Sequence, residues 1–157
     1  MGPEPSTSYS SMKRLLLACL VFASLAVART YSVVGTVGPT SKVGNWDPSV
    51  AWDVHLLWNI DQMVMLGPGV GYEGEPHSYM PVTGKLMVRL PIGRQALPYL
   101  DGELGAGVRD VLSESFLAWK CGVGVDQKLG DRSSILLGSG FQNHHRYYIR
   151  AGLLVEF

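Results

Sequence analysis

The sequence predicts an all-β protein: an eight-stranded antiparallel up-and-down transmembrane β-barrel, preceded by a cleaved helical signal peptide. Three observations lead to that reading. The chain opens on an export leader. The remainder divides into eight strand-length segments punctuated by Gly and Pro, with no helical period. Most of those segments carry one face that holds no charge at all.

The leader comes first. Lys13-Arg14 precede an apolar run from Leu15 to Leu25, followed by Ala26-Val27-Ala28. A basic start, a short apolar stretch and a small-x-small site make a secretory signal peptide. The run is shorter than the ~20 apolar residues that a membrane-spanning helix needs. The expected division is therefore an upstream extension over 1–11, the signal peptide over 12–28 and the barrel over 29–157. Removing Glu4, Lys13 and Arg14 leaves the exported part within one charge of neutral, so no basic excess points to nucleic acid. Of the two cysteines only Cys121 would remain, and no intrachain disulfide can form.

The predicted strands are Thr30–Gly38, Ser49–Asn59, Gln62–Glu73, Tyr79–Leu90, Ala96–Arg109, Phe116–Leu129, Ser133–Phe141 and Tyr147–Phe157. Segments of about ten residues match the length of strands that cross a bilayer. In the second, Val50, Trp52, Val54, Leu56 and Trp58 alternate with a face bearing Asp53 and His55. The fourth sets Val82, Leu86 and Val88 against Lys85 and Arg89. In the fifth, Leu100, Leu104 and Val108 oppose Asp101, Glu103 and Arg109. The sixth opposes Trp119, Cys121 and Val123 to Lys120 and Asp126, and the last opposes Ile149, Leu153 and Val155 to Arg150 and Glu156. The first and seventh segments do not declare which face is outward.

Two barrels fit such strands. A soluble barrel closes its apolar face inward, as in a lipocalin-like binder of an apolar ligand. A membrane barrel inverts this, with lipid outside and polar groups within. An eight-stranded lumen has room only for side chains, and five strands' worth of Trp, Leu and Val would overfill it. Gly67, Gly69, Gly71, Gly105, Gly107, Gly122 and Gly124 fall on the polar face and leave space for long charged residues. The inverted arrangement is the one expected. The polar faces then hold five acids and five bases besides His55, a balance that lets buried charges pair. Folding about Pro91–Gln95 brings Lys85 opposite Asp101 or Glu103, and folding about Asp110–Ser115 brings Lys120 beside Glu103. Trp52, Tyr72, Trp119 and Tyr147 fall towards one rim, and Tyr31, Trp58 and Phe157 towards the other, as in interfacial aromatic girdles.

Two features carry a resemblance. Leu97-Pro-Tyr-Leu-Asp-Gly-Glu-Leu-Gly-Ala-Gly-Val108 is similar to the Pro-Tyr, Gly-rich strand of the small eight-stranded outer-membrane barrels of Gram-negative bacteria. The terminal pattern filled by Arg150, Gly152, Val155 and Phe157 resembles the assembly signal of that OmpA/OmpX-type family. The resemblance implies an outer-membrane location and transient partners in periplasmic chaperones and the barrel-insertion machinery. A monomer in contact with outer-membrane lipid, with no cofactor, is expected. Turns at Ile60–Asp61, Pro91–Gln95 and Gly130–Arg132 would then face the periplasm. The outer loops would be Pro39–Pro48, Gly74–Ser78, Asp110–Ser115 and Gln142–Arg146.

Little chemistry is legible. Some barrels of this size modify lipid A with a His-x-Ser pair, but Arg146 and Tyr147 stand two positions after His144 and His145. Adjacent histidines on an extended chain point to opposite sides, and no carboxylate or Cys stands at ligand spacing nearby. The expectation is no catalytic residue, no metal and no pore of useful width. The role expected is that of a structural component of the membrane.

Overall fold

A computed structural model describes residues 30–44, 48–74, 78–109 and 114–157. The leader, Cys19 and the extension before it lie outside the described residues, as do positions 45–47, 75–77 and 110–113 of the expected outer loops. The strands are β1 (Thr30–Lys42), β2 (Ser49–Asn59), β3 (Val64–Glu73), β4 (Met80–Arg89), β5 (Ala96–Arg109), β6 (Glu114–Lys128), β7 (Ser133–Gln142) and β8 (Arg146–Glu156). Each pairs antiparallel with the next, and β1 pairs with β8 to close the barrel. Closure leaves no strand edge unpaired, which is how an all-β chain avoids edge-to-edge association.

Two strands agree with the sequence reading to the residue, and the others shift at one or both ends. The largest difference is in β1, which continues through Pro39 to Lys42 where the sequence predicts a loop. Gly38-Pro39 reads as a turn signal, yet Pro stops a strand only if its missing N–H breaks a needed ladder. Here β1 keeps its register with β2 through Gly38 and Pro39, while its ladder with β8 skips both residues between Val37–Ala151 and Thr40–Tyr148. Pro68 does the same in β3: pairing with β4 is continuous, and pairing with β2 lapses between Gly69 and Leu66. Pro39 and Pro68 thus mark gaps on one side of a strand, not its end.

The short turns have local causes. Asp61 Oδ1 accepts the backbone N–H groups of Met63 and Val64, each at 2.7 Å, which closes the β2–β3 connection. Gly93 takes φ 119° in the β4–β5 turn, a region closed to residues with a side chain.

The exterior is apolar. Val50, Val82, Leu86, Leu104, Leu117, Val123, Ile149 and Leu153 are exposed, Leu104 by 61 %. A continuous band of this kind on every strand far exceeds the apolar patch of a water-soluble monomer. The two undeclared strands now have a facing: Ser32, Val34, Thr36 and Thr40 of β1 and Ser134, Leu136 and Gln142 of β7 point inward, with Val37, Leu137 and Phe141 outward. Aromatic pairs stand near both rims, Trp52 with Tyr72 at the loop end and Tyr31 with Phe157 at the turn end.

The interior is not polar throughout, and alternation alone does not reveal the exception. Val34, Leu57, Met65, Met87, Tyr99, Leu136 and Leu154 form a buried apolar layer across the lumen. Leu57 follows Asp53 and His55 on the same face, and Leu154 follows Arg150. Alternation assigns a residue to a face but says nothing of its depth. Any level without an ion partner is filled most cheaply by apolar packing.

Candidate functional site

The lumen is occupied by side chains in stacked tiers. The central tier lies above the apolar layer, towards the loops. Lys85 on β4 places Nζ 2.8 Å from Asp101 and 3.0 Å from Glu103 on β5. Lys120 on β6 reaches across, 3.1 Å from Asp53 on β2 and 3.1 Å from Glu103. Arg150 on β8 also donates to Asp53, and its guanidinium lies 4.8 Å from the centroid of the Tyr148 ring. Thr36 adds a hydroxyl donor to Asp53 at 2.8 Å. Three acids thus meet three bases, all deeply buried or nearly so; Asp53, Glu103, Lys85, Lys120 and Arg150 each have more than one polar contact, and Asp101 pairs with Lys85. Such pairs hold only when the geometry compensates the loss of water.

His55 stands inside this tier. Its Nε2 lies 3.2 Å from the Thr83 hydroxyl and 3.8 Å from Glu103, and Nδ1 lies 3.5 Å from Asp53 without a hydrogen-bond partner. Its ring rests on the backbone of Gly69, where an added Cβ would collide with the ring.

A second tier closes the loop end. Arg146 Nε lies 2.9 Å from Glu73, which also accepts from Gln142 at 2.5 Å and from the Tyr79 hydroxyl at 2.7 Å. Arg146 donates further to Ser49 at 2.7 Å, and Gln142 to Thr40 at 3.0 Å. A third group lies below the apolar layer, where Arg89 binds Asp126 at 2.6 Å and Glu156 at 3.0 Å.

The residues singled out by sequence are therefore split. Asp53, His55, Lys85, Asp101, Glu103, Lys120 and Arg150 come together at mid-barrel. Arg89, Asp126 and Glu156 form their own group at the turn end, with Glu156 partly open to solvent. Arg109 lies at the outer end of β5, in register with Glu114 and half-buried, at the rim and apart from the central tier. Of the terminal pattern, Gly152 packs against β1, Val155 faces outward, and Phe157 donates its N–H to the Tyr31 carbonyl at 2.8 Å. The β6 glycines make room mainly for aromatic rings: a Cβ at Gly124 would meet the Tyr99 phenol, and one at Gly122 the Tyr148 hydroxyl.

Sequence reasoning misses the loop-end tier, because it leaves Glu73 at a strand end and Arg146 in a loop. Extending the alternation of Gly69 and Gly71, or of Tyr148 and Arg150, by one step puts both in the lumen.

Asp53, His55 and Glu103 bring one potential ligand atom each within 4.8 Å of one another. These residues do not fit a metal ion. The ammonium of Lys120 stands between the two carboxylates, and Lys85 and Arg150 supply two more positive charges. A divalent cation would have to displace a partner already in place. Near the loops, Asn143–His145 form a 3-10 turn, and the exposed His145 has φ 56°.

No protein-family model matches this sequence, and a search of curated proteins finds no relative. Solved structures do match. A designed transmembrane β-barrel superposes with a TM-score of 0.65 at 13% identity, covering 82% of this chain and 95% of its own. The N-terminal β-barrel domain of OprF from Pseudomonas aeruginosa gives 0.61 at 11% identity, over 80% of this chain and 97% of that one. The Neisserial surface protein A gives 0.57 at 10% identity, over 82% and 97%. The chain has the fold of the small eight-stranded outer-membrane barrels. The soluble alternative required the apolar faces to line the lumen; Trp52, Leu86 and Val123 are on the outside, and that alternative falls.

Proposed function

We propose that this chain is an outer-membrane β-barrel, exported by its leader, that serves as a structural component of membrane integrity rather than as an enzyme. The observation that carries the reading is an apolar exterior wrapped around a lumen filled by three charged groups and one apolar layer. Lipid is the surrounding that stabilises such an exterior. The packing of these side chains supports a closed lumen with little or no pore activity. The neighbours in structure are membrane barrels, which supports the location.

The same reading accounts for assembly. Arg150, Gly152, Val155 and Phe157 would be read by the insertion machinery after delivery by periplasmic chaperones, the last strand being offered as an edge. The finished barrel is a monomer with the short turns in the periplasm. The decisive experiment separates outer membranes by density and runs the detergent extract on gels with and without boiling. Sedimentation with outer membrane and a boiling-dependent shift are expected. A detergent-independent soluble species would refute the proposal, and stepwise conductance in planar bilayers would refute the closed lumen.

A further inference from the structure

The lipid-facing surface is not uniform. Below the loop-end rim a shallow depression of about 520 Å³ runs over β6, β7 and β8, where Cys121 and Ser139 are small and Val123, Phe141, Tyr147 and Ile149 form its walls. A second depression, of about 600 Å³, adjoins it at Phe141 and rises past Trp119 to Lys42 and His145 at the rim. Together they make one path from the barrel wall to the level of the loops. Its lower part is apolar and its top is basic. No acidic side chain lines either depression among the described residues. Lys42 is exposed and makes no ion pair among the described residues, unlike the lysines of the lumen. His145 is set beside it by a left-handed backbone, φ 56°, whose carbonyl accepts the N–H of Val43 at 2.9 Å. A non-Gly residue held in that conformation costs free energy, so the surrounding structure must enforce it.

We propose that this path binds one membrane lipid with an anionic phosphate headgroup, the phosphate at Lys42 and His145 and an acyl chain in the groove over Cys121 and Ser139. Charge complementarity chooses the occupant: a phosphate finds Lys42 and His145 and no acid among the described residues, and the chain below finds walls that are mainly apolar. A second copy of the barrel would bring its own Lys42 to the same rim, placing two like charges together. The inference rests on the membrane reading above.

The test uses Trp119, which lines the upper groove, as the reporter. Trp46, Trp52 and Trp58 are replaced by Phe, and the barrel is reconstituted in phosphatidylcholine vesicles. These contain equal fractions of brominated phosphatidic acid or brominated phosphatidylcholine. Stronger quenching of Trp119 by the anionic lipid is expected, by about fivefold in apparent affinity, the size of one basic side chain at an anionic surface. Lys42→Ala with His145→Ala should abolish the preference, and Lys128→Ala at the opposite rim should leave it. If the triple Trp variant does not fold, native mass spectrometry of the unaltered chain makes the same comparison, with phosphatidic acid retained over phosphatidylcholine. Equal quenching by the two lipids overturns the proposal. So does a preference that survives the double substitution or falls equally in Lys128→Ala. Cross-linking of Cys121 between two barrels would assign the groove to a second copy and overturn it too. If no brominated lipid quenches any tryptophan of the unaltered chain, the membrane reading itself has failed.

Discussion

Lys85 and Glu103 are register partners on β4 and β5, and their charged ends lie 3.0 Å apart in the lumen. Both side chains are almost wholly buried, and Lys85 also contacts Asp101. Removing the lysine leaves two carboxylates short of a cation where water does not reach. Lys85→Ala should therefore lower stability by about 3–5 kcal/mol. Lys128→Ala, at an exposed end of β6, should change it by less than about 0.5 kcal/mol. Urea unfolding in detergent micelles measures both, and equal midpoints would show that the pairs do not hold the lumen together.

The His55 ring occupies the space above Gly69 that any side chain would take. Gly69→Ala forces the ring to move within a packed tier, at a cost of about 1–3 kcal/mol. Adding His55→Ala should return part of that loss. A double-mutant cycle on unfolding free energies reads the coupling, and strict additivity would mean that the two positions do not compete for space.

The apolar layer separates the central charged tier from the charged group at the turn end. Leu57→Ser together with Met87→Ser should admit water there and open a polar path between the charged tier above it and the charged group below it. The expected result is a small steady ion conductance in planar bilayers where the unaltered chain has none. Silence in a variant shown to be folded would place the barrier in the charged tiers instead.

Phe157 stacks on Tyr31 with ring centroids 5.3 Å apart and planes inclined by 13°. Deleting Phe157 removes this contact and one backbone hydrogen bond, and should lower stability by about 1–2 kcal/mol. If the terminal pattern is also an assembly signal, the rate of insertion into membranes bearing the insertion machinery should fall far more than the rate of spontaneous folding into micelles. Equal slowing in both settings would leave only the structural role.

What the sequence displays and what it conceals have separate physical origins. Facing is legible because alternation is a backbone property, and Trp52, Leu86 and Val123 stand where period two puts them. Register is legible where turns are short: a tight β4–β5 connection sets Lys85 across from Glu103, and the next pairing sets Glu103 across from Lys120. Depth is not legible. Leu57 shares a face with Asp53, and only the stagger of neighbouring strands shows that one lies in an apolar layer and the other among cations. The prolines mislead for a related reason, since Pro39 ends a ladder on one side while the strand continues on the other. Arg146 and Glu73 escape because each stands one step beyond the point where the alternation fades.

The central tier combines Asp53, Asp101 and Glu103 with Lys85, Lys120 and Arg150, so its formal charges cancel at one depth. An electric potential across the bilayer acts on net displaced charge. Finding none at this level, it has no lever on the central tier, which should hold its place when the voltage across the membrane changes.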